Sequence, residues 1–260
     1  MRSLPLADSG PAERLTIVVP AHFEPETIGP TLRAMHQQIN GIATVLVVYD
    51  LDEDPTAGAV RAGLAEWPRT QLMKNSFGRG ALGAIKTGLA AATTELVVVM
   101  MADLSDPPEV VNAMVREADR GADVVSASRY MTGGSQTGGP RIKGFLSRTA
   151  GLSLHLLTRI PTHDPTNSFR LYRTSFLRAV ELESRGGFEI GLELTVKAYL
   201  SGRLVSEVPS AWTDRSGGES KFHLWQWLPL YLRWYLYTLR RAPLGIGVPR
   251  PLPGRSDPPS

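Results

Sequence analysis

The chain has 260 residues, 42% hydrophobic and 20% charged, which suits one large domain with a short appendage. It contains no cysteine, so disulfides and thiolate metal sites are excluded and a cytosolic life is permitted. The net charge of +3 is uneven: from Arg215 onward seven Lys/Arg face only Glu219 and Asp257, a local +5 that leaves about −2 for the remainder.

Residues 1–14 carry polar side chains and two prolines and no apolar signal core, so they are read as a flexible N-terminus. Leu15–Pro20 is a β-branched run that predicts a buried strand, followed by a helix over Ile28–Gln38. Thr44–Tyr49 repeats the strand signal; Ala57–Glu66 and Ala81–Ala92 read as helices; Leu96–Met101 is the most apolar strand. Pro107 and Pro108 open a helix through Arg120, and Ala122–Ala127 is a further strand. The alternation predicts an α/β domain with a mainly parallel, doubly wound, Rossmann-like sheet. Met131–Pro140 reads as a mobile loop, Ile142–Thr158 and Glu189–Leu200 as helices, and Leu204–Val208 as a strand.

Open parallel sheets bind ligands outside the carboxyl ends of their strands. The first strand is followed there by Pro20, His22 and Glu24, and the second by Asp50, Asp52 and Asp54. Leu96–Met101 leads to Asp103, Ser105 and Asp106, and Ala122–Ala127 to Ser128, Arg129 and Tyr130. Each acidic group alone reads equally as a helix cap or turn former. Together they suit a divalent cation that neutralises a diphosphate. Gly78–Gly83 formally matches a glycine-rich phosphate loop and is better read as a tight turn into the Ala81–Ala92 helix.

The ordered motifs carry a resemblance. IVVPAHFE (Ile17–Glu24) resembles "VVPxYNE", VVYDLDEDPT (Val47–Thr56) "VVDDxSxDGT", and GRGALGAIKTGL (Gly78–Leu89) "GxGxAxxxGL". MADLSDPPE (Met101–Glu109) resembles "DADLxHPPE", SRY (Ser128–Tyr130) "GSRY", and DPTNSFRLYR (Asp164–Arg173) "DPTSGFRxYR". GFEIGLEL (Gly187–Leu194) and RSGGESKF (Arg215–Phe222) resemble "GFEfxxEl" and "RxxGxSK". The series is similar to family 2 glycosyltransferases of GT-A fold, in their dolichol-phosphate mannosyltransferase-like branch, from about Leu15 to Lys221.

The resemblance implies an inverting glycosyltransferase that takes a nucleotide diphosphate sugar as donor and a polyprenyl phosphate as acceptor. It implies that Pro20, His22, Glu24, Val48 and Asp50 hold the nucleoside, while Ala102, Asp103 and Ser105 lie at a Mg²⁺ or Mn²⁺ ion and the diphosphate. Arg129, Lys143 and Ser147 fall at the acceptor phosphate, and Arg215 and Lys221 on a basic loop over the donor. Asp164 and Arg170 would frame the pocket. Met101 stands where the metal motif has its first Asp, which removes one hard oxygen ligand. His22, Tyr49 and Pro55 are further departures from the motifs.

Two alternatives accompany this reading: transfer to a hydroxyl of a small molecule or glycan, or non-catalytic binding of a nucleotide sugar. A hydroxyl acceptor needs a general base. Glu189 and Glu193, four apart on one helix face, are candidates, as is Asp164; the two glutamates read equally as a cap and a structural salt bridge. Phe222–Leu239 holds seven of the nineteen aromatic residues, with His223, Gln226, Pro229 and Arg233 interrupting it. It reads as an interfacial helix or helix pair, and equally as a segment packed on the domain. The domain expectation is therefore a catalytic unit over 15–221, an amphipathic aromatic segment over 222–241 and a disordered tail over 242–260. Peripheral contact with the inner face of the membrane is expected, and nucleic acid is not.

Overall fold

The strand Leu15–Ala21 (β1) is buried at every residue, because a run of β-branched side chains must be covered on both faces of a sheet. The computed structural model describes residues 13–214 and 224–242, with 224–226 described by backbone alone. Arg215 and Lys221, residues 1–12 and residues 243–260 lie outside the described residues.

After β1 come α1 (Pro25–Gln38), β2 (Ile42–Tyr49), α2 (Pro55–Gly63), β3 (Thr70–Lys74), α3 (Ala81–Ala91), β4 (Leu96–Val99) and α4 (Val110–Asp119). Then follow β5 (Val124–Ser128), β6 (Ser135–Thr137), α5 (Arg141–Thr158), β7 (Arg170–Arg173), α6 (Thr174–Ala179) and α7 (Ile190–Leu200). Strands β8 (Val205–Pro209) and β9 (Ala211–Thr213) and helix α8 (Leu224–Arg241) complete the chain. Seven strands form one sheet in the order β3-β2-β1-β4-β7-β5-β8; β6 and β9 form a separate parallel ribbon. Only β7 runs antiparallel in the large sheet, between β4 and β5. The expected α/β architecture is borne out. Strand order reverses between β1 and β4, which opens a crevice at their carboxyl ends.

Helices cover both faces. One apolar cluster joins Ile28, Leu32, Met35, Val111 and Met114 to one side of the sheet, and another joins Ile85, Leu89, Phe176 and Leu194 to the other. Helix α3 lies close on β1 because Gly88 has no side chain; a Cβ there would come within 2.2 Å of Val18. A third cluster joins α5, α7 and α8 through Leu154, Leu192, Val196 and Trp234.

Several expectations need correction. The Met131–Pro140 stretch contains β6, which is fixed by its pairing with β9. Strand β4 ends at Val99, although the Met100 amide still donates to the Val18 carbonyl at 3.0 Å. Pro107 and Pro108 precede α4 as a turn, their carbonyls accepting from Val110 and Val111. Of the two forms expected for the aromatic segment, its described part takes the single helix, α8, which runs through Pro229.

Arg170 is fully buried, and its guanidinium donates to the carbonyls of Asn167, Gly191 and Asp164 and to the Thr195 hydroxyl. It ties the loop before β7 to α7. Arg170→Ala is expected to destabilise the fold by about 3–5 kcal/mol, since it strands buried acceptors and opens a cavity. Denaturant titration measures this directly; a loss below about 1 kcal/mol would remove the guanidinium from that role.

Candidate active site

The first two strand ends build one wall of the crevice. Asp50 follows β2, and both its oxygens are held: Asn75 Nδ2 donates at 2.6 Å and the Gly80 amide at 2.7 Å. Gly80 has φ +97°, a conformation that favours glycine, and so turns its N–H toward Asp50 as α3 begins. Asp50, Asp52, Glu53, Lys74, Asn75 and Arg79 line an opening of about 330 Å³. Asp52 pairs with Lys74 at 2.5 Å on the exposed rim. Asp54 is a helix cap: buried, it accepts from the amides of Thr56 at 2.8 Å and Phe23 at 3.0 Å. These bonds hold its carboxyl below the usual range even though burial acts the other way.

Pro20 and Val48 are buried in the adjacent strands β1 and β2; His22 is exposed and Glu24 half-buried on the following turn. Phe23 between them is exposed and left-handed, with φ +54°, a strained conformation for so large a side chain. The Glu24 amide donates to Thr56 Oγ1 at 2.7 Å, so the turns after β1 and β2 are stapled together. These residues share one edge, as expected.

The turn after β4 carries the second wall. Thr31 of α1 donates to the buried Ala102 carbonyl at 3.0 Å, and the Ser105 amide donates to Asp103 Oδ1 at 3.0 Å. Asp103 is half-exposed, and among the described residues its other oxygen takes no hydrogen bond. Ser105 is buried, and its carbonyl accepts from the Thr213 amide of β9 at 3.0 Å. Asp106 is buried too, and its Oδ1 takes no hydrogen bond.

Beyond them lies a buried ion pair. Arg129 Nε and Nη2 donate to the two oxygens of Asp164 at 2.7 and 3.0 Å, and the Arg129 amide adds a third bond at 3.1 Å. Nη2 also reaches Ser147 at 3.1 Å and Thr166 at 3.3 Å, whereas among the described residues Nη1 takes part in no hydrogen bond. Burial opposes both charges, yet each partner holds the other ionised: the guanidinium is raised and the Asp164 carboxyl lowered. Asp164 and Arg170 are therefore structural, as the motif comparison implies.

Arg129 opens on a cavity of about 430 Å³ lined also by Tyr130, Gln136, Arg141, Phe145 and Arg148. Ser147 bonds to Tyr130 as well as to Arg129, and Lys143 is half-buried on the same helix, α5. Arg141 and Arg148 were not singled out by the sequence. They stand on a helix following a Gly-rich loop, and only the fold shows which of its faces meets Arg129. Glu189 and Glu193 prove to be structural. Glu189 accepts from the amides of Arg185, Gly186 and Gly187, and Glu193 from those of Glu183 and Ser184 and from Lys197.

Asp103 offers a hard oxygen donor at the open edge, of the kind a divalent cation takes, while Asp106 on the same turn is buried. Among the described residues no group of three or more His, Cys, Asp or Glu gathers. Burial pushes the Asp106 carboxyl up to about 7; Asp103 adds to the rise, and Arg129 and Asn167 oppose it. A carboxyl with a raised folded-state value binds its proton more tightly when folded, so its ionisation costs stability between about pH 4 and about pH 7. Asp106→Asn is therefore expected to gain melting temperature relative to metal-free wild type as pH rises from about 5 to about 8. Equal differences at both pH values would place that carboxyl in a solvated setting.

Comparison with known proteins agrees with this layout. Residues 16–180 match the family described as Glycosyl transferase family 2. The chain is 31% identical over 218 residues to Polyprenol monophosphomannose synthase of Mycolicibacterium smegmatis, covering 81% of this chain and 82% of that protein. It is 30% identical over 216 residues to Undecaprenyl-phosphate mannosyltransferase of Micrococcus luteus, covering 80% of this chain and 87% of that protein. The crystal structure of glucosyl-3-phosphoglycerate synthase from Mycobacterium tuberculosis, in complex with Mn²⁺, UDP and glucosyl-3-phosphoglycerate, superposes with a TM-score of 0.63 at 16% identity. That match covers 91% of this chain and 81% of the other, and shows a shared fold. Carboxylates and an arginine on the carboxyl edge of a sheet of this order, with a family match spanning β1 to α6, lead to one conclusion: the chain belongs to glycosyl transferase family 2 and has its GT-A fold.

Proposed function

We propose that this chain moves a hexose, mannose by analogy with the two relatives, from a nucleoside diphosphate sugar to a polyprenyl phosphate, inverting the anomeric carbon. The observation that carries the reading is the arginine-lined cavity on α5, which opens beside the carboxylate edge. A phosphate held there by Arg141, Arg148 and Arg129 Nη1, with Lys143 on the same helix beside the lining, would face the side on which Asp50 and Asp103 hold the donor.

A phosphate acceptor is already ionised, so the attacking oxygen needs no general base. This agrees with the commitments of Glu189, Glu193 and Asp164, each saturated by structural hydrogen bonds. A Mg²⁺ or Mn²⁺ ion at Asp103 would neutralise the diphosphate, as Mn²⁺ accompanies UDP in the solved neighbour. Asp50 and its partners orient the nucleoside, and Ser105 and Ala102 fix the turn that carries Asp103. Arg215 and Lys221 are assigned to the charge that grows on the departing diphosphate.

The same helices supply a lipid-facing surface. Leu228, Leu232 and Leu236 form an exposed stripe at four-residue spacing on α8, and Ile142, Phe145, Leu156 and Leu157 are exposed on α5. The two helices meet through Ser153 and the Tyr235 hydroxyl at 2.9 Å, and Trp234 anchors α8 in the core. Arg148, Arg159, Arg240 and Arg241 are exposed around them. No helix among the described residues is long and apolar enough to cross a membrane. This pattern suits an interfacial seat on anionic lipid.

The deciding experiment incubates the purified chain with labelled nucleoside diphosphate mannose, varying the base, with undecaprenyl phosphate and with hydroxyl acceptors. Label entering the lipid phosphate alone is the expected result. Transfer only to hydroxyls, or no turnover with any donor in the presence of Mn²⁺, would refute it. Asp103→Ala is expected to lower kcat by about 10²–10⁴. Lys143→Ala or Arg148→Ala should raise the acceptor KM about tenfold and leave the donor KM nearly unchanged, as separate titrations would reveal. Leu232→Asp with Leu236→Asp should abolish sedimentation with anionic vesicles while nucleotide binding persists; retained sedimentation would move the membrane contact elsewhere.

A further inference from the structure

Two carboxylates of the edge, Glu24 and Asp106, each keep a buried oxygen that takes no hydrogen bond, and Asp106 is the fully buried residue of the two. It is 2% exposed, and its Oδ1 takes no hydrogen bond, although nearly every buried polar atom in a native fold finds a partner. Asp50 and Asp54 are saturated by amides, and Asp164 by Arg129. Asp103 and Asp164 act on Asp106 as like charges, and Arg129, which opposes them, is already committed to Asp164. A buried carboxylate oxygen without a partner is costly, and a divalent cation would supply the partner that Asp106 Oδ1 lacks.

The turn also shows what Asp106 would replace. Met101, at the head of the same turn, offers only a thioether, which Mg²⁺ and Mn²⁺ disfavour. The motif that this turn resembles has a carboxylate at position 101 and an imidazole at 106; the chain has a thioether and a carboxylate there. We propose that Asp106 is the second carboxylate ligand of a divalent cation at this edge, acting with Asp103 and supplying the oxygen that Met101 lacks. The proposal rests on Asp103 as a metal-holding residue and not on the identity of the sugar or acceptor.

The test uses the full chain, stripped of metal and titrated with Mn²⁺ alone, with free Mn²⁺ read by electron paramagnetic resonance. Asp106→Asn keeps the shape of the side chain and is expected to weaken Mn²⁺ binding about tenfold or more. Met101→Asp added to Asp106→Asn is expected to restore it, because the carboxylate returns at the other end of the turn. Mn²⁺ should raise the melting temperature of wild type more than that of Asp106→Asn, which also shows that the variant is folded. Wild-type Mn²⁺ affinity in Asp106→Asn, alongside a loss in Asp103→Ala, would overturn the proposal and leave Asp103 as the metal residue. Absence of Mn²⁺ binding in wild type, or no loss in either variant, would overturn both together, whereas sugar transfer could still be scored independently.

Discussion

The pairing of Arg129 with Asp164 is the constraint on which the rest of the site depends. Both groups are withdrawn from water, so each would be costly alone, and the two-pronged geometry with added bonds to Ser147 and Thr166 makes them tolerable together. Through this pair the end of β5, the loop before β7 and the middle of α5 become one unit. Arg170 extends the unit to α7 by donating to the Asp164 carbonyl and the Gly191 carbonyl. The arginine-lined cavity therefore sits on a fixed floor rather than on a mobile loop.

The acidic residues of the edge differ in fate because they differ in the donors within reach. Asp54 meets the first amides of α2 and becomes a cap; Asp50 meets Asn75 and Gly80 and becomes a brace for the α3 turn. Asp52 points outward and finds Lys74. Asp103 and Asp106 each retain an oxygen without a hydrogen bond, and both lie on the turn after β4. Chemistry is thus left to the carboxylates that the fold does not consume.

Much of this could be read from residue types alone. β1, β2, β4 and β5 are apolar runs too short for helices, and each was legible for that reason. β3 was not: it is an edge strand, and TQLMK carries the polar side chains that an exposed edge allows. β7, RLYR, hides its strand nature behind two arginines, one buried on carbonyls and the other paired with Glu95. β6 and β9 have three residues each and exist only because they find one another across the fold. For the site, strand-end position was enough to collect Asp103 and Arg129 on one edge. It could not separate capping from free carboxylates, since that depends on which amides the tertiary structure brings near.

The β6–β9 ribbon is small, yet it touches both halves of the crevice. The Thr213 amide bonds the Ser105 carbonyl beside Asp103, while the residues around β6 line the arginine cavity. The Asp214 carboxylate continues the contact by accepting from the Gly139 amide at 3.1 Å. A ligand that favours this bonded arrangement at Ser105 also favours the position of β6. Free-energy coupling between two sites is mutual, so the cavity would return the same factor to the carboxylate turn. Binding synergy between the two substrates would then run through six paired residues, without any domain closure.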